Sequence, residues 1–207
     1  KTRSESFRQQ FSGYPDLLKS ARYWGFTVCM AFSNSGFYIF TAGVPLIAVV
    51  MLGLSPALLG VCMGTITIGF SCSAFASSRL AHRVSLTSLI LAGRFSSVIG
   101  ASASLIFFLA GMGNAYTLFG PLMLIGVGNG LTMPNANAGA MSIRPDLAGS
   151  AVGLMGALAV GAGGALTALT GVLVTETSGA VPFLTLILVV SIISLIAVLH
   201  LKWQERN

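Results

Sequence analysis

Long uncharged stretches alternate with short basic segments along this sequence. No Asp, Glu, Lys or Arg occurs in residues 23–78, 95–143, 147–175 or 177–201. A membrane span takes roughly 20 apolar residues, so the first two stretches are each long enough for two spans. Turn-forming residues divide them, GLSP at 53–56 and GMGN at 111–114. The pattern predicts six transmembrane helices, at about residues 23–51, 56–78, 85–110, 116–142, 148–175 and 179–201.

The basic residues predict the topology. Ten of the eleven Lys and Arg residues fall at the chain ends or in the loops after the second and fourth spans: Lys1, Arg3, Arg8, Lys19, Arg22, Arg79, Arg83, Arg144, Lys202 and Arg206. Because basic loops stay cytoplasmic, both termini are expected in the cytoplasm. Residues 1–22 then form a cytoplasmic linker, with a short interfacial helix at 14–19, and residues 23–207 form a six-helix transmembrane domain.

Composition gives the same protein class. With 55% hydrophobic and 8% charged residues, the chain lies far from the roughly 25% charged residues of soluble domains. We therefore expect an all-α polytopic membrane protein in a lipid bilayer. The net charge of +6 is explained by loop topology, so no nucleic acid partner is expected. The three cysteines lie inside predicted spans without metal-ligand spacing, and we expect no metal or cofactor.

Neutral polar residues form a stripe on the first span. Asn34, Tyr38, Thr41 and Pro45 recur at helical spacing and share one face. Polar groups facing lipid cost several kcal/mol each on alkane-type scales, so this face should meet other helices or water. Both a solute cavity and hydrogen bonding between helices fit the pattern. In the second span, close packing and a functional role both remain open for the face shared by Gly64, Thr67, Ser71, Phe75 and Ser78.

The fourth span has a similar face. Asn129, Thr132 and Met133 share it and Asn137 flanks it, while Pro134 removes a backbone donor and predicts a bend. The candidate cavity residues of the two spans are Asn34, Tyr38, Thr41, Asn129, Thr132, Met133 and Asn137.

The fifth span carries an uninterrupted stripe of small residues that includes Gly153, Gly161 and Gly164. Such stripes let helix backbones approach closely, so packing is the main interpretation, and sliding or bending between helices is the alternative. We predict that these three glycines and Pro134 serve packing or gating.

The third and sixth spans are mostly apolar and are expected to be outer, lipid-facing helices. Arg94 is the exception, about nine residues into the third span. At that depth its side chain could reach the cytoplasmic interface, so we interpret it as a snorkelling or topology-fixing residue. A functional charge in a cavity or interface is the alternative.

Four segments resemble a known family. Residues 130–136, GLTMPNA, followed by AGSA at 148–151, resemble the tenth-to-eleventh-helix signature of bacterial drug:proton antiporters of the major facilitator superfamily. The bicyclomycin and chloramphenicol resistance transporters are the most similar subgroup. TAGVP at 41–45 and GLSP at 53–56 resemble the end of helix seven and its outer turn.

The resemblance implies that this chain corresponds to helices seven to twelve of a twelve-helix fold. The first, second, fourth and fifth spans would line the central cavity. The implied function is half of a secondary active transporter that exports small amphipathic molecules by alternating access, proton-coupled in the complete protein, in the bacterial inner membrane. Its partner would be an N-terminal six-helix half or a second copy.

Other function classes remain as alternatives. One is a non-transporting assembly or regulatory subunit of the membrane, and another is a half-transporter that dimerises. An intramembrane enzyme is disfavoured because both histidines, His82 and His200, lie at the cytoplasmic boundary and no Gly-x-Ser-x-Gly segment occurs. We therefore expect neither catalytic residues nor enzymatic activity.

Overall fold

Six long helices make up most of the protein. The computed structural model describes residues 14–206, and the helices are α1 (Ala21–Pro45), α2 (Pro56–Leu80), α3 (Leu86–Leu109), α4 (Ala115–Ile143), α5 (Ala148–Leu173) and α6 (Val181–Gln204). A short helix, Tyr14–Lys19, precedes α1, and a π-helical turn, Leu46–Met51, extends it. The all-α prediction and the helix at 14–19 are confirmed. Residues 1–13 of the predicted linker, and residue 207, lie outside the described residues.

Polar caps and glycine turns define the helix ends. Ser20, Ser55 and Ser85 accept a hydrogen bond from a backbone N–H in the first turn of α1, α2 and α3, and Asn114 caps α4 in the same way. Each cap satisfies a donor that has no partner inside its helix. Between α1 and α2, Gly53 turns the chain with a φ of 67°, which glycine adopts without strain.

Five of the six helices are long and apolar enough to cross a membrane by length and composition. The remaining one, α4, has 29 residues, but its Asn, Pro and Gly residues lower its hydropathy. Its position compensates for this composition, because α4 packs against α1, α2 and α3. Polar atoms along α4 therefore meet protein rather than hydrocarbon. Pro134 lies inside α4, which stays helical on both sides of it.

The helix contacts are symmetric between the two halves of the bundle. α4 packs mainly on α3 and α2, while α1 packs mainly on α6 and α5, and α3 packs on α6. Exchanging the first three helices with the last three reproduces this pattern. Two three-helix repeats of this kind are the building unit of many transporter folds.

The six helices differ in how far they are buried within this domain. In α2 and α5, 17% of the most apolar 18-residue segment is buried, against 44% in α3 and 39% in α6. Within these six helices α2 and α5 are thus the most exposed, and the prediction that the third and sixth helices are the outer, lipid-facing ones of a complete transporter stays a prediction. α3 and α6 pack against each other and against the two central helices, whereas α2 and α5 leave long faces open.

The predicted glycine stripe of α5 does not pack within this domain. A Cβ atom placed on Gly153, Gly161 or Gly164 would meet no described residue within 4 Å. α5 instead contacts α1 through Gly163, where an added Cβ would lie 2.7 Å from the Cε2 atom of Tyr38.

Close glycine packing occurs on α4 instead. Added Cβ atoms on Gly126 and Gly130 would collide with backbone carbonyl oxygens of α2, those of Ile66 and Phe70. On the neighbouring side, a Cβ on Gly93 of α3 would lie 2.6 Å from the carbonyl oxygen of Gly128. Backbone atoms cannot move aside as side chains can, so these glycines set how closely α4 approaches α2 and α3.

A polar cluster joins three helix ends. The Glu205 carboxylate accepts hydrogen bonds from Arg22 Nη2 at 3.2 Å and Thr87 Oγ1 at 2.7 Å. These contacts place the start of α1, the start of α3 and the end of α6 at one end of the bundle. If the six spans alternate in direction, as the sequence predicts, these three helix ends have to lie on the same side of the bundle.

A candidate solute cavity between three helices

A cavity of about 260 Å³ lies between α1, α2 and α4, midway along each helix. Its volume is near the lower end of the range for small-molecule sites. Three polar side chains are set among apolar and aromatic ones: the lining residues are Asn34, Phe37, Ile66, Thr67, Phe70, Gly126, Asn129 and Met133. A wall of this kind fits a solute with an apolar body and a few polar groups.

The structure brings three predicted cavity residues together. Asn34 comes from α1, and Asn129 and Met133 come from α4. Phe37, one turn after Asn34, is 42% exposed and borders the same space. Thr67 completes the polar part from α2.

Four predicted residues do not line this cavity. The ring of Tyr38 packs on Gly163, and the Thr41 hydroxyl donates to the carbonyl oxygens of Phe37 and Tyr38 in its own helix. Thr132 is fully buried and accepts a hydrogen bond from α3. The Oδ1 atom of Asn137 is buried without a hydrogen-bond partner among the described residues.

Arg94 lies inside the bundle rather than at the interface. It is 1% exposed, and its guanidinium donates from Nε to Thr132 Oγ1 at 2.9 Å and from Nη2 to Asn129 Oδ1 at 3.0 Å. The snorkelling interpretation is therefore wrong. Both partners are neutral, so the positive charge is held by dipoles alone.

Ser33 of α1 completes a network with Arg94 and Asn129. Its Oγ atom donates to Asn129 Oδ1 at 2.7 Å, so three helices meet at one amide oxygen. No sequence pattern indicated this role of Ser33, because a serine is ordinary in a span and its partner Asn129 lies 96 residues away in the chain. The α2 residues Ile66 and Phe70 were missed for a similar reason, since apolar residues in a span do not reveal which face meets a cavity.

Asp146, the described loop carboxylate nearest to the end of α4, is paired with Arg144. Arg144 donates to Asp146 from Nε at 3.0 Å and from Nη2 at 2.8 Å. These hydrogen bonds hold the pKa of the Asp146 carboxyl below its usual value, so it stays ionised. The predicted spans themselves contain no Asp or Glu.

A bundle of membrane-length apolar helices with a mixed polar and apolar cavity defines a polytopic α-helical membrane protein. A family model of the Major Facilitator Superfamily matches residues 1–168, which include every residue that lines the cavity. The chain therefore belongs to the major facilitator superfamily, whose members are transporters rather than enzymes. No curated protein matches the sequence.

Proposed function

We propose that this chain is half of a secondary active transporter that exports small amphipathic molecules by alternating access. The cavity between α1, α2 and α4 is this half's part of the solute path. The observation that supports this most is the meeting of three polar side chains, Asn34, Thr67 and Asn129, within an otherwise apolar wall at mid-membrane depth. Such a wall binds an apolar body by contact and orients it through a few hydrogen bonds.

The open faces of α2 and α5 support a second half. Both helices are far less buried than their neighbours, and the cavity residues Phe37 and Thr67 are exposed at its rim. A further six-helix unit packed on these faces would close the cavity. That unit is an N-terminal half or a second copy of this chain, and rocking of one unit against the other would alternate access to the solute.

Drug export and proton coupling are the finer parts of the proposal. They rest on the resemblance of residues 130–136 and 148–151 to the drug:proton antiporter signature. Because the spans here lack Asp and Glu, the proton-carrying group would belong to the other half. The distribution of basic residues supports both termini in the cytoplasm, and the resemblance to bacterial antiporters supports a location in the bacterial inner membrane.

Drug accumulation tests the proposal. The full native protein would be expressed in a bacterium without its major efflux pumps, and accumulation of amphipathic antibiotics, chloramphenicol included, would be measured with and without a protonophore. We expect lower accumulation of at least one compound, abolished by the protonophore. Accumulation that stays low in the presence of the protonophore would contradict proton coupling but not export. Unchanged accumulation of every compound would contradict export and favour a non-transporting regulatory subunit.

A further inference from the structure

We propose that Asn129 presents its amide N–H groups to the cavity as a fixed hydrogen-bond donor, held in that orientation by Arg94 and Ser33. The cavity would then select solutes that place an acceptor oxygen, of a carbonyl or a carboxylate, against α4. This inference rests on the proposed function and adds the chemical class of the solute to it.

The orientation of the amide follows from the chemistry of its neighbours. A guanidinium group has donors and no acceptor, so the Asn129 atom 3.0 Å from Arg94 Nη2 has to be the oxygen. Ser33 Oγ supplies a second donor at 2.7 Å. The two lone pairs of the oxygen are thereby used, and turning the amide over would set N–H groups against the guanidinium donors.

The amide nitrogen is consequently directed away from this network. Asn129 is 4% exposed and lines the cavity, yet no described residue accepts a hydrogen bond from its Nδ2 atom. Asn129 Nδ2 is not among the described side-chain atoms that are fully buried without a hydrogen-bond partner, so it can be reached from the cavity and can donate to water or to a solute. An acceptor oxygen on a solute inside the cavity would satisfy it.

The charge of Arg94 strengthens this preference. A hydrogen bond from a cation to the amide oxygen polarises the amide and makes its N–H groups stronger donors. The hydrogen-bond partners of the guanidinium are neutral, so its positive charge is not cancelled locally and favours oxygens with negative partial or full charge. Arg94 does not line the cavity and is therefore a positioning residue that acts through Asn129.

Asn129→Asp is the most informative variant. Aspartate keeps the size of the side chain and an oxygen that can accept from Arg94 and Ser33, but it replaces the cavity-facing donor with an acceptor. Arg94→Met tests the same idea without altering the cavity wall, and Arg94→Lys restores a cationic donor. Ser191→Ala is the matched control, because Ser191 is buried on α6 and donates only to Ile187 of its own helix.

The measurement is equilibrium binding of two radiolabelled probes to the purified full native protein, with the melting temperature recorded for each variant. Chloramphenicol is neutral and carries an amide carbonyl, whereas tetraphenylphosphonium is a cation without a hydrogen-bonding group. We expect Asn129→Asp to bind chloramphenicol about tenfold more weakly, as for one lost hydrogen bond, and tetraphenylphosphonium more tightly. Arg94→Met should reduce the preference for chloramphenicol, Arg94→Lys should restore part of it, and Ser191→Ala should leave it unchanged.

The outcomes separate this inference from the proposed function. If the wild type binds chloramphenicol and both Asn129→Asp and Arg94→Met keep its preference over tetraphenylphosphonium, the donor assignment is overturned and export stands. If Asn129→Asp does not fold, an unchanged preference in Arg94→Met still overturns it. If the wild type binds neither probe and exports no antibiotic, the proposed function fails and this inference fails with it.

Discussion

Arg94 illustrates how a buried charge can indicate function. A guanidinium that is 1% exposed loses nearly all of its hydration, and hydrogen bonds to Thr132 and Asn129 replace only part of it. An apolar side chain of similar volume would not carry this desolvation cost, and Asn129 Oδ1 would still accept from Ser33. A charge kept under these conditions suggests a role in the solute path.

Arg94→Met should therefore separate stability from transport. We expect the melting temperature of the purified protein to stay the same or rise, while efflux falls about tenfold because the Asn129 amide is no longer held. Differential scanning fluorimetry and a whole-cell efflux assay on the same variant check both parts. A clear drop in melting temperature together with unchanged efflux would make Arg94 a structural tie between α3 and α4.

At the scale of the helices, α4 is the element that organises the bundle. Its glycines let α2 and α3 approach on two sides, and its neutral polar residues hydrogen-bond to both. Asn135 Nδ2 donates to Ser77 Oγ of α2 at 2.6 Å, and Ser96 Oγ of α3 donates to the carbonyl oxygen of Leu124 at 3.1 Å. Stability of the domain should depend on these close contacts more than on the small residues of α5.

A pair of glycine variants tests this difference. In Gly100→Ala the new methyl group would collide with the carbonyl oxygen of Pro121, and overpacking of this kind costs about 1–3 kcal/mol. Gly153→Ala adds a methyl group where no described residue lies within 4 Å, and higher helix propensity should add up to about 1 kcal/mol. Thermal unfolding in detergent should thus show a lower melting temperature for Gly100→Ala only. Equal melting temperatures for the two variants would contradict the assignment of the α3–α4 contact as the tight one.

Sequence reasoning succeeded where one property of a residue decides the outcome. Uncharged length and turn residues predicted all six helices within a few residues. The helical spacing also pointed to Asn34 and Asn129, which line one cavity, but equally to Tyr38 and Thr41, which do not. Sequence reasoning failed where the environment of a residue depends on a contact with another helix, because the local sequence does not show which residue will be in contact. Gly163 and Gly164 are adjacent and chemically identical, yet only Gly163 lies against Tyr38. Arg94 was misjudged because its partners lie 35 and 38 residues away.

At the scale of the whole molecule, topology is the first consequence to test. The loops at Ser55, Asn114 and Ser178 lie at one end of the bundle, and those at Ser85 and Asp146 lie at the other; all five residues are exposed. We expect cysteines at the first three positions, in an otherwise cysteine-free variant, to react with a membrane-impermeant maleimide in intact cells. Cysteines at the other two should react only after permeabilisation. Labelling of a cysteine at the Ser85 or Asp146 position in intact cells would contradict the predicted topology and place these loops outside the cell.

The whole-molecule account also predicts where a second half would bind. The open face of α2 borders the cavity, α5 packs beside α1, and the symmetric contact pattern places α2 and α5 in equivalent positions. An N-terminal half and a second copy of this chain would cover the same faces. Size-exclusion chromatography with light scattering on the native protein distinguishes a monomer from a dimer.

The claim that the cavity between α1, α2 and α4 carries the solute is tested most directly by efflux and melting temperature measured together on Asn34→Ala. Asn34 lines the cavity, and no described residue forms a hydrogen bond with its side chain. Its removal should therefore change which amphipathic antibiotics are exported, or how fast, while the melting temperature stays within error of the wild type. Unchanged efflux of every compound with a clearly lowered melting temperature would contradict the account and make this polar stripe part of the helix packing alone.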